Sequence, residues 1–395
     1  MKKTIRDFNL KNKKVIIRCD FNVPIKDGKI IDDTRIKNSL ETIKYAIDNN
    51  AKVILLSHLG RIKEEEDKIK NNLRVVADRL SDLLAKKVIF IDEVVGDKVK
   101  TAIKNMKVQD VILLQNTRYE DLDGKKESKC NLEFAKQLAS YGDIFINDAF
   151  GTIHRAHASN YGISKYLESG IGFLVEKELE KLSILNNPED PFVIIMGGAK
   201  VADKIRVIDN LLPKCDKLLI GGGMAFTFLQ TEGYEIGNSI VDVDSLEYCQ
   251  KLLKDYPNKI ILPVDVACSL EYKDGDKRIE KDINEIDFHE IGLDIGNKTL
   301  SLFEKYLKDA KTVFWNGPLG VYEFSLYAKN TNKLLNYLEK SKAKVVLGGG
   351  DIVAAASKLS LTNKFYHVST GGGATLEYLS GNTLPGLENI EEKEA

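Results

Sequence analysis

Short runs of consecutive apolar residues recur along the chain, and stretches with helical spacing of apolar residues separate them. In chain order the runs read KKVIIRCD, AKVILLSH, KKVIFID, DVILLQN, DIFINDAF, FVIIMGG, KLLIGGG, NKIILPVDV, KTVFWNG, KVVLGGG and FYHVSTGGG. Most lack polar alternation, which is typical of parallel strands covered on both faces. Strands and helices that alternate in this way predict an α/β fold with doubly wound parallel sheets.

The length of the chain and one helical segment indicate how the fold is divided. At 395 residues the chain exceeds what one hydrophobic core usually serves. The segment ESGIGFLVEKELEKLSILNNPED places two glycines before an amphipathic helix that ends near Pro188. We therefore predict two Rossmann-like lobes, at residues 1–170 and 188–375, joined by a hinge helix within 171–187.

Composition narrows the classes of protein that need to be considered. A net charge of -1 gives no reason to expect nucleic-acid binding, although a local basic patch stays possible. The five cysteines have neither C-x-x-C spacing nor an even count, which favours buried thiols in a reducing compartment. The N-terminus has no signal-peptide core, and no run approaches the ~20 apolar residues of a membrane span. We expect a cytoplasmic protein that binds neither nucleic acid nor membrane.

The predicted strands of the first half end in charged and polar side chains. Ligands of open α/β sheets bind at the carboxyl ends of the strands, and arginine suits bidentate contact with carboxylate or phosphate. A lone arginine is more often a surface cation, and His58 could equally be a structural core histidine. The candidates are Asp20, Asn22, Arg35, His58, Arg61, Arg118 and Arg155. Gathered at one sheet edge, these residues would bind a small ligand with several negative charges.

The predicted strands of the second half end in glycines instead. Backbone without Cβ lets phosphate approach main-chain N–H groups, and the following helix adds its positive end. One glycine pair is usually a tight turn, but five clusters in one half favour a nucleotide site. The clusters include Gly198, Gly222, Gly223, Gly320, Gly349, Gly350, Gly371, Gly372 and Gly373. Asp351 follows one cluster directly and could hold a Mg²⁺ ion that bridges phosphates.

Two lysines follow the first glycine cluster, in the stretch PFVIIMGGAKVADK. We expect a helix after the glycines, with Lys200 and Lys204 on its first turns, where anions are attracted. The stretch does not fit the phosphate-loop pattern G-x-x-x-x-G-K-[ST]. Any phosphate here would be held by another arrangement.

Together these motifs resemble the phosphoglycerate kinase family over the whole chain. The matching segments are VIIRCDFNVP, SHLGR, NDAFGTIHRAH, MGGAKVADK, IGGGMAFTFL, LPVD, WNGPLGVYE, GGGD and VSTGGGA. The resemblance implies a monomer with two lobes and a C-terminal segment, residues 376–395, that returns to the first lobe. It also implies reversible transfer of a phosphoryl group between 1,3-bisphosphoglycerate and Mg-ADP, giving 3-phosphoglycerate and Mg-ATP.

The resemblance further implies a role for each candidate residue. The seven residues of the first half would bind 3-phosphoglycerate, and Asp351 would hold Mg²⁺. Lys200 and Lys204 would contact the nucleotide or the transferring phosphate. The other nucleotide contacts would come from Asn316, Pro318, Glu323, Ile352 and the glycines listed above.

We expect catalysis by alignment and by positive charge, because the attacking oxygen is already ionised and needs no general base. The groups around the transferred phosphoryl would be Arg35, Lys200, Lys204 and the helix start at Gly371, Gly372 and Gly373. In-line transfer would follow hinge closure, which excludes water from the acyl phosphate.

Two positions depart from the family's usual pattern. Gln115 stands where Glu is common, and Ile352 stands where Ser or Thr often touches a phosphate, which predicts weaker nucleotide binding.

Two other function classes also fit parts of the sequence. A dinucleotide-dependent dehydrogenase would be doubly wound and glycine-rich, but no predicted strand is followed by G-x-G-x-x-G with an acidic residue ~20 positions later. A non-catalytic sensor of phosphorylated metabolites could keep both pockets, and turnover would distinguish it from an enzyme.

Overall fold

Two six-stranded parallel sheets organise the chain. The computed structural model describes residues 1–275 and 277–393. The chain divides into one unit formed by Met1–Glu180 with Thr383–Ala395 and a second formed by Lys181–Asn382. This architecture confirms the predicted α/β fold with two doubly wound parallel sheets.

Among the described residues, the first unit contains eight strands and the helices between them. The strands are β1 (Lys14–Cys19), β2 (Ile25–Lys26), β3 (Lys29–Ile30), β4 (Lys52–Leu56), β5 (Val88–Ile91), β6 (Val111–Leu114), β7 (Ile144–Asp148) and β8 (Ser169–Ile171). The helices are α1 (Thr34–Asn38), α2 (Leu40–Asp48), α3 (Glu65–Lys70), α4 (Arg74–Leu84), α5 (Asp97–Lys104), α6 (Leu132–Ala139) and α7 (Phe173–Ser183), of which α7 runs past the last residue assigned to this unit.

The apolar runs form strands here because both faces of the sheet are covered. Along β1, Val15 and Ile17 pack into one hydrophobic cluster, and Ile16 packs into another on the opposite face. The sheet order is β5-β6-β4-β1-β7-β8, and all neighbours are parallel. The chain leaves β1 for one side and later crosses to β7 on the other, so a ligand crevice is expected at the carboxyl ends of these two strands.

The second unit is built on a sheet of the dinucleotide-binding order. Its strands are β9 (Phe192–Met196), β10 (Lys217–Ile220), β11 (Ile260–Ile261), β12 (Asp265–Ser269), β13 (Ile279–Asp282), β14 (Ile291–Ile295), β15 (Thr312–Asn316), β16 (Lys344–Leu347) and β17 (His367–Val368). Its helices are α8 (Ile205–Leu211), α9 (Met224–Thr231), α10 (Leu246–Asp255), α11 (Asn297–Leu307), α12 (Lys329–Glu339), α13 (Gly350–Lys358) and α14 (Gly373–Leu379).

The main sheet of this unit has the order β11-β10-β9-β15-β16-β17, and β12 to β14 form a separate antiparallel sheet. Numbered within the main sheet, the order is the 3-2-1-4-5-6 arrangement that places a ligand where the winding reverses. That reversal lies between β9 and β15, where Met196 is paired with Asn316. The residues that follow these two strands therefore face the expected crevice.

Some elements differ from the sequence prediction. The run NKIILPVDV was predicted as one strand, but β11 and β12 belong to different sheets and Pro263, which has no N–H to donate, lies between them. Strands β8, β13 and β14 and the β2–β3 hairpin were not predicted. The division between units falls after Glu180, inside the predicted hinge segment, and residues 376–382 group with the second unit.

The chain returns to the first unit after residue 382, through α15 (Pro385–Glu388). The backbone of Lys3 donates to Glu391 at 2.8 Å, and Gly386 donates to the carbonyl of Ile153 at 2.9 Å. Ile390 is buried. Residues from both ends of the chain thus complete the first unit. Among the helices of the described residues, none has the length and apolar character needed to cross a membrane.

Candidate active site

A carboxylate and an arginine meet at the crevice of the first unit. Nη1 of Arg35, on α1, donates to Oδ2 of Asp20 at 2.7 Å. Asp20 is buried directly after β1, whereas the Arg35 side chain is 39% exposed. Gly151 lies against the pair, since a Cβ there would come within 2.4 Å of Asp20 Oδ2. Asp20 therefore holds one arm of the guanidinium and leaves its other donors for a ligand.

Asn22 and Arg118 meet at the loop that carries Arg61. The backbone N–H of Gly60 donates to Asn22 Oδ1 at 2.8 Å, and Arg118 Nη1 donates to the Gly60 carbonyl at 2.5 Å. Asn116 holds the same loop through Leu59 and accepts from the backbone N–H of Arg118 at 3.1 Å. Arg118 is 7% exposed, and its buried Nε has no hydrogen-bond partner among the described residues.

The remaining two arginines are exposed, and no hydrogen bond or ion pair within the described chain joins the side chain of Arg61 or Arg155 to another predicted site residue. Arg155 nevertheless acts on Arg118, because burial first and then the charge of Arg155 lower the pKa of Arg118. Like charges gathered in this way indicate a place for an anion.

A chain of buried polar groups lies behind this pocket; it consists of Glu127, Ser159, Arg18 and His58 and is called the buried ionic chain below. Nε of Arg18 donates to Ser159 Oγ at 2.8 Å, and that hydroxyl donates to Glu127 Oε1. Nη2 of Arg18 lies 3.1 Å from His58 Nδ1. Arginine has no acceptor, so Nδ1 accepts and Nε2 carries the proton of the neutral ring. Burial, followed by the charges of Arg18 and Arg118, lowers the pKa of His58 well below its ordinary value.

The sequence prediction named His58 but not the groups that hold it. Glu127 lies in the polar stretch DGKKESK, which has the composition of a surface loop, yet it is fully buried. Gln115, the first departure noted above, is also buried and donates to Asp92 Oδ1 at 2.7 Å while accepting from the backbone of Leu73. An ionised Glu at position 115 could not donate to Asp92, so the amide matches its surroundings.

In the second unit, Lys204 and Asn316 meet at the point where the winding of the sheet reverses. The ammonium of Lys204 donates to Asn316 Oδ1, and the Asn316 amide donates to the carbonyl of Gly348. Burial lowers the pKa of Lys204, and the charges of Asp203 and Asp351 oppose that shift. Lys200 is exposed in the loop before α8.

The predicted helix start at the two lysines is wrong. Helix α8 begins at Ile205, after both lysines, and only a short 3₁₀ turn precedes it. The loop after β9 is instead hydrogen-bonded to other loops. The Gly198 N–H donates to the carbonyl of Pro318, and the Gly198 carbonyl accepts from the N–H of Met224, each at 2.9 Å. Ala202 donates to Asp242 Oδ2 at 2.9 Å. In a helix that began at Gly198, the Gly198 carbonyl would accept from the N–H of Ala202, and here both groups are paired with other segments instead.

The glycine clusters have two different physical causes. A Cβ on Gly197 would lie 2.0 Å from the Pro318 carbonyl oxygen, and a Cβ on Gly222 would lie 2.6 Å from the Gly198 nitrogen. Here glycine is needed because three strand-end loops pack backbone against backbone. A Cβ on Gly350 or Gly372 would meet nothing within 4 Å. Only at such open positions does the missing side chain leave room for a ligand.

A cavity of about 480 Å³ opens beside these loops. Seven predicted nucleotide-site residues line it: Gly198, Gly222, Gly223, Pro318, Gly320, Glu323 and Asp351. Its other walls include apolar and aromatic side chains that were not predicted, among them Ile240, Tyr272, Leu293 and Tyr322. Ile240 and Tyr272 lie in loops and Leu293 lies in the unpredicted strand β14, so their sequence positions carried no signal, whereas Tyr322 lies in the quoted segment WNGPLGVYE but was not singled out. An apolar cavity with a few polar groups suits an aromatic base.

Asp351 is an exposed carboxylate on the first turn of α13. Burial, followed by the charge of Asp351, raises the pKa of Tyr322. No group of three or more His, Cys, Asp or Glu in the described part of the chain is placed to hold a metal by itself. Mg²⁺ commonly takes one protein carboxylate and completes its shell with phosphate oxygens and water, so Asp351 fits such an ion.

The remaining predicted nucleotide contacts lie outside the lining of the cavity. Ile352 is fully buried within the hydrophobic cluster of its unit, so only its backbone N–H is free to reach a ligand. Gly349 precedes α13 with a φ of 108°, and a Cβ there would lie 2.5 Å from Asn316 Nδ2. The backbone of Gly371 donates to Ser369 Oγ at 3.2 Å, and α14 begins at Gly373.

Comparisons with known proteins agree with this geometry. A family model described as phosphoglycerate kinase matches residues 5–382. A phosphoglycerate kinase of Fusobacterium nucleatum is 53% identical, and the match covers 100% of both chains. One from Listeria monocytogenes is 51% identical over 99% of this chain and 100% of its own.

Solved structures give the same result. Phosphoglycerate kinase from Coxiella burnetii matches with a TM-score of 0.88 and 38% identity over 98% of each chain. The crystal structure of the enzyme from Pyrococcus horikoshii matches with a TM-score of 0.85 and 33% identity, also over 98% of each chain.

Proposed function

The chain belongs to the phosphoglycerate kinase family, and from this premise we propose how its two sites share the reaction. It is a glycolytic phosphotransferase whose acceptor is a carboxyl group, with ATP and ADP as nucleotide substrates. We assign 3-phosphoglycerate and 1,3-bisphosphoglycerate to the pocket of the first unit. The nucleotide belongs to the cavity of the second unit. The observation that best supports this assignment is Arg35, half exposed and held at one arm by buried Asp20.

The pocket of the first unit suits a small phosphorylated acid. Arg35, Arg61, Arg118 and Arg155 supply positive charge, and Arg118 has a buried donor without a partner among the described residues. Asp20 and Asn22 accept from or donate to a ligand hydroxyl. His58, neutral and protonated on Nε2, adds a donor that carries no charge.

The cavity of the second unit suits a nucleotide. The base lies against the apolar wall, and Glu323 and Asn316 serve the ribose and phosphate. Lys200, Lys204 and the open backbone at Gly350 and Gly372 receive the phosphates. Asp351 would hold Mg²⁺, which, when bound, neutralises phosphate charge and orients the oxygens of the nucleotide.

Transfer requires no general base, since a carboxylate or a diphosphate oxygen is the nucleophile. Rate enhancement then comes from alignment and from cations around the transferred group. We assign that role to Arg35 and Lys200, assisted by Lys204 and by the backbone at Gly371, Gly372 and Gly373. We also predict hinge closure about the segment 171–187. Closure would exclude water, which otherwise hydrolyses the labile acyl phosphate.

We further infer a monomer in the cytoplasm that acts on small molecules and binds neither nucleic acid nor membrane. The five cysteines support a reducing compartment, because all are free thiols and four are buried.

The assignment is tested by a coupled assay that follows consumption of 3-phosphoglycerate and Mg-ATP. Lys200→Ala should lower kcat by about 10²-fold, the scale of losing one transition-state donor. Lys251→Ala, which removes an exposed lysine from α10, is the matched control and should leave kcat unchanged. Binding of both ligands by the wild type without turnover would contradict the proposal.

A further inference from the structure

Glu127 is a buried carboxylate in a segment whose sequence gives no reason for burial. Its Oε1 accepts from the hydroxyls of Ser159 and Thr117, the latter at 3.1 Å, and its Oε2 accepts from the backbone N–H of Ser159 at 3.0 Å. Burial raises the pKa of Glu127, and the charge of Arg18 opposes that rise. Both oxygens of this buried carboxylate accept hydrogen bonds, which indicates that the charge of Glu127 has a specific structural role.

The role of Glu127 concerns Arg18, which is also fully buried. Its guanidinium has three attachments: Nε to Ser159 Oγ at 2.8 Å, Nη1 to the carbonyl of Cys19, and Nη2 to His58 Nδ1 at 3.1 Å. A buried cation needs a counter-charge, and Glu127 supplies it through the shared Ser159 hydroxyl. The direction of every hydrogen bond is fixed, because arginine only donates.

We propose that Glu127 is a positioning residue that, through Ser159 and Arg18, fixes His58 as the Nε2-protonated tautomer. The inference rests on the proposed function only for the identity of the ligand beside His58. In this tautomer the free ring nitrogen is an N–H donor, which suits an oxygen of an anion. In the Nδ1-protonated tautomer, Nε2 would instead carry a lone pair, which would repel that oxygen.

Two-bond ¹⁵N–¹H correlation spectra of the full-length protein, labelled at histidine, test the proposal directly. His58→Gln identifies the His58 signal among the five histidines. We expect a single Nε2-protonated pattern in the wild type and a second tautomer in both Glu127→Gln and Ser159→Ala. Ser159→Ala keeps both charges and serves if Glu127→Gln, which removes the main counter-charge of Arg18 and leaves only that of Asp20, does not fold. Thr117→Val is the matched control, since it removes a donor to the same carboxylate oxygen without touching Arg18.

Kinetics supply a second readout. In both variants KM for 3-phosphoglycerate should rise at least about tenfold, while KM for Mg-ATP stays within about twofold, because one directed hydrogen bond to a charged ligand is lost. A single unchanged tautomer in both variants would overturn the proposal. A changed tautomer with an unaltered KM for 3-phosphoglycerate would support the positioning role and contradict the ligand assigned to the pocket.

Discussion

The two candidate sites lie at equivalent places in their sheets but are held in opposite ways. In the first unit, polar side chains are fixed by charged side chains: Arg35 by Asp20, and the neutral ring of His58 by Arg18. In the second unit, loops are fixed by direct contact of their backbones, at Gly197 and Gly222. The same sheet topology thus supports one pocket held by charged side chains and one held by close contacts between loop backbones.

The difference indicates which changes each site tolerates. A pocket held by ion pairs loses function when a charge is removed, even where the volume is conserved. Loops held by backbone contact should keep their arrangement when a charge nearby is changed, but not when a single methyl group is added between them. Four measurements separate these two modes.

The largest effect is expected from Arg35→Ala in the first unit. Loss of one donor to the transferred group should lower kcat by at least about 10²-fold. Arg79→Ala is the matched control, because Arg79 also pairs with a carboxylate, Asp33, at 2.7 Å, but away from the strand ends. A steady-state assay with both substrates checks this, and a kcat within about threefold of wild type would remove Arg35 from the transfer step.

Next in size is Gly222→Ala in the second unit. Gly222 has a φ of 65°, and its new Cβ would meet the backbone of Gly198 at 2.6 Å. We expect a rise of about tenfold in KM for Mg-ATP and a loss of about 1–3 kcal/mol in the free energy of unfolding.

Gly233→Ala is the control for this substitution. Gly233 also has a positive φ, of 88°, but nothing lies within 4 Å of its Cβ position. It should cost stability without changing KM, as denaturant titration and kinetics would reveal. Equal KM values in the two variants would mean that crowding of the loops does not shape the nucleotide site.

The third effect is on stability as a function of pH, and it concerns the first unit. Asp148, at the end of β7, is fully buried and accepts from the backbone of Leu174 at 3.0 Å. Burial raises its pKa from 3.8 to about 7. The folded state therefore holds this proton more tightly than the unfolded state, and the contribution to stability is lost as pH rises from about 4 to about 7.

Asp148→Asn removes this ionisation. The Tm of the variant relative to wild type should increase between pH 5 and pH 8, which differential scanning calorimetry measures. Asp143→Asn, at an exposed carboxylate just before the same strand, should not show that trend. A constant difference in Tm for Asp148→Asn would show that its carboxyl does not titrate in this range.

The smallest effect on ligand binding is expected from Ile352→Thr. The family resemblance implied that a hydroxyl side chain at position 352 would contact a phosphate, but the Ile352 side chain is fully buried. We expect KM for Mg-ATP to change by less than about threefold, while an unpaired buried hydroxyl costs about 1–3 kcal/mol of stability. Val353→Thr, at the half-buried neighbouring position, is the control. A much larger fall in KM would show that the hydroxyl reaches the phosphate.

Much of the fold followed from the sequence because parallel strands covered on both faces are continuous apolar runs. Strand β14, with sequence IGLDI, was missed because Gly292 and Asp294 interrupt its apolar pattern. Strand β13 was missed because its residues are polar and largely exposed. In such strands the antiparallel partners, and not the local pattern, decide the structure.

The candidate site was predictable to the extent that its residues follow the strands directly. Asp20 and His58 could be named for that reason, whereas Asn316, the last residue of β15, was named only through the family resemblance. Glu127 and Tyr272 could not, since one lies in a lysine-rich loop and the other in a polar segment, and only tertiary packing brings them to a site. The helix predicted to carry Lys200 and Lys204 begins only at Ile205, because contacts to Pro318 and Asp242 override the local helical preference.

The return of residues 383–393 to the first unit has a consequence for synthesis on the ribosome. The second unit is, in effect, an insertion between two parts of the first, and its segments are contiguous in the chain. During translation the second unit can therefore close its sheet while the first still lacks the strip that pairs with Lys3 and covers Ile153. The unit whose synthesis begins first is therefore completed only after residues 383–393 have been added.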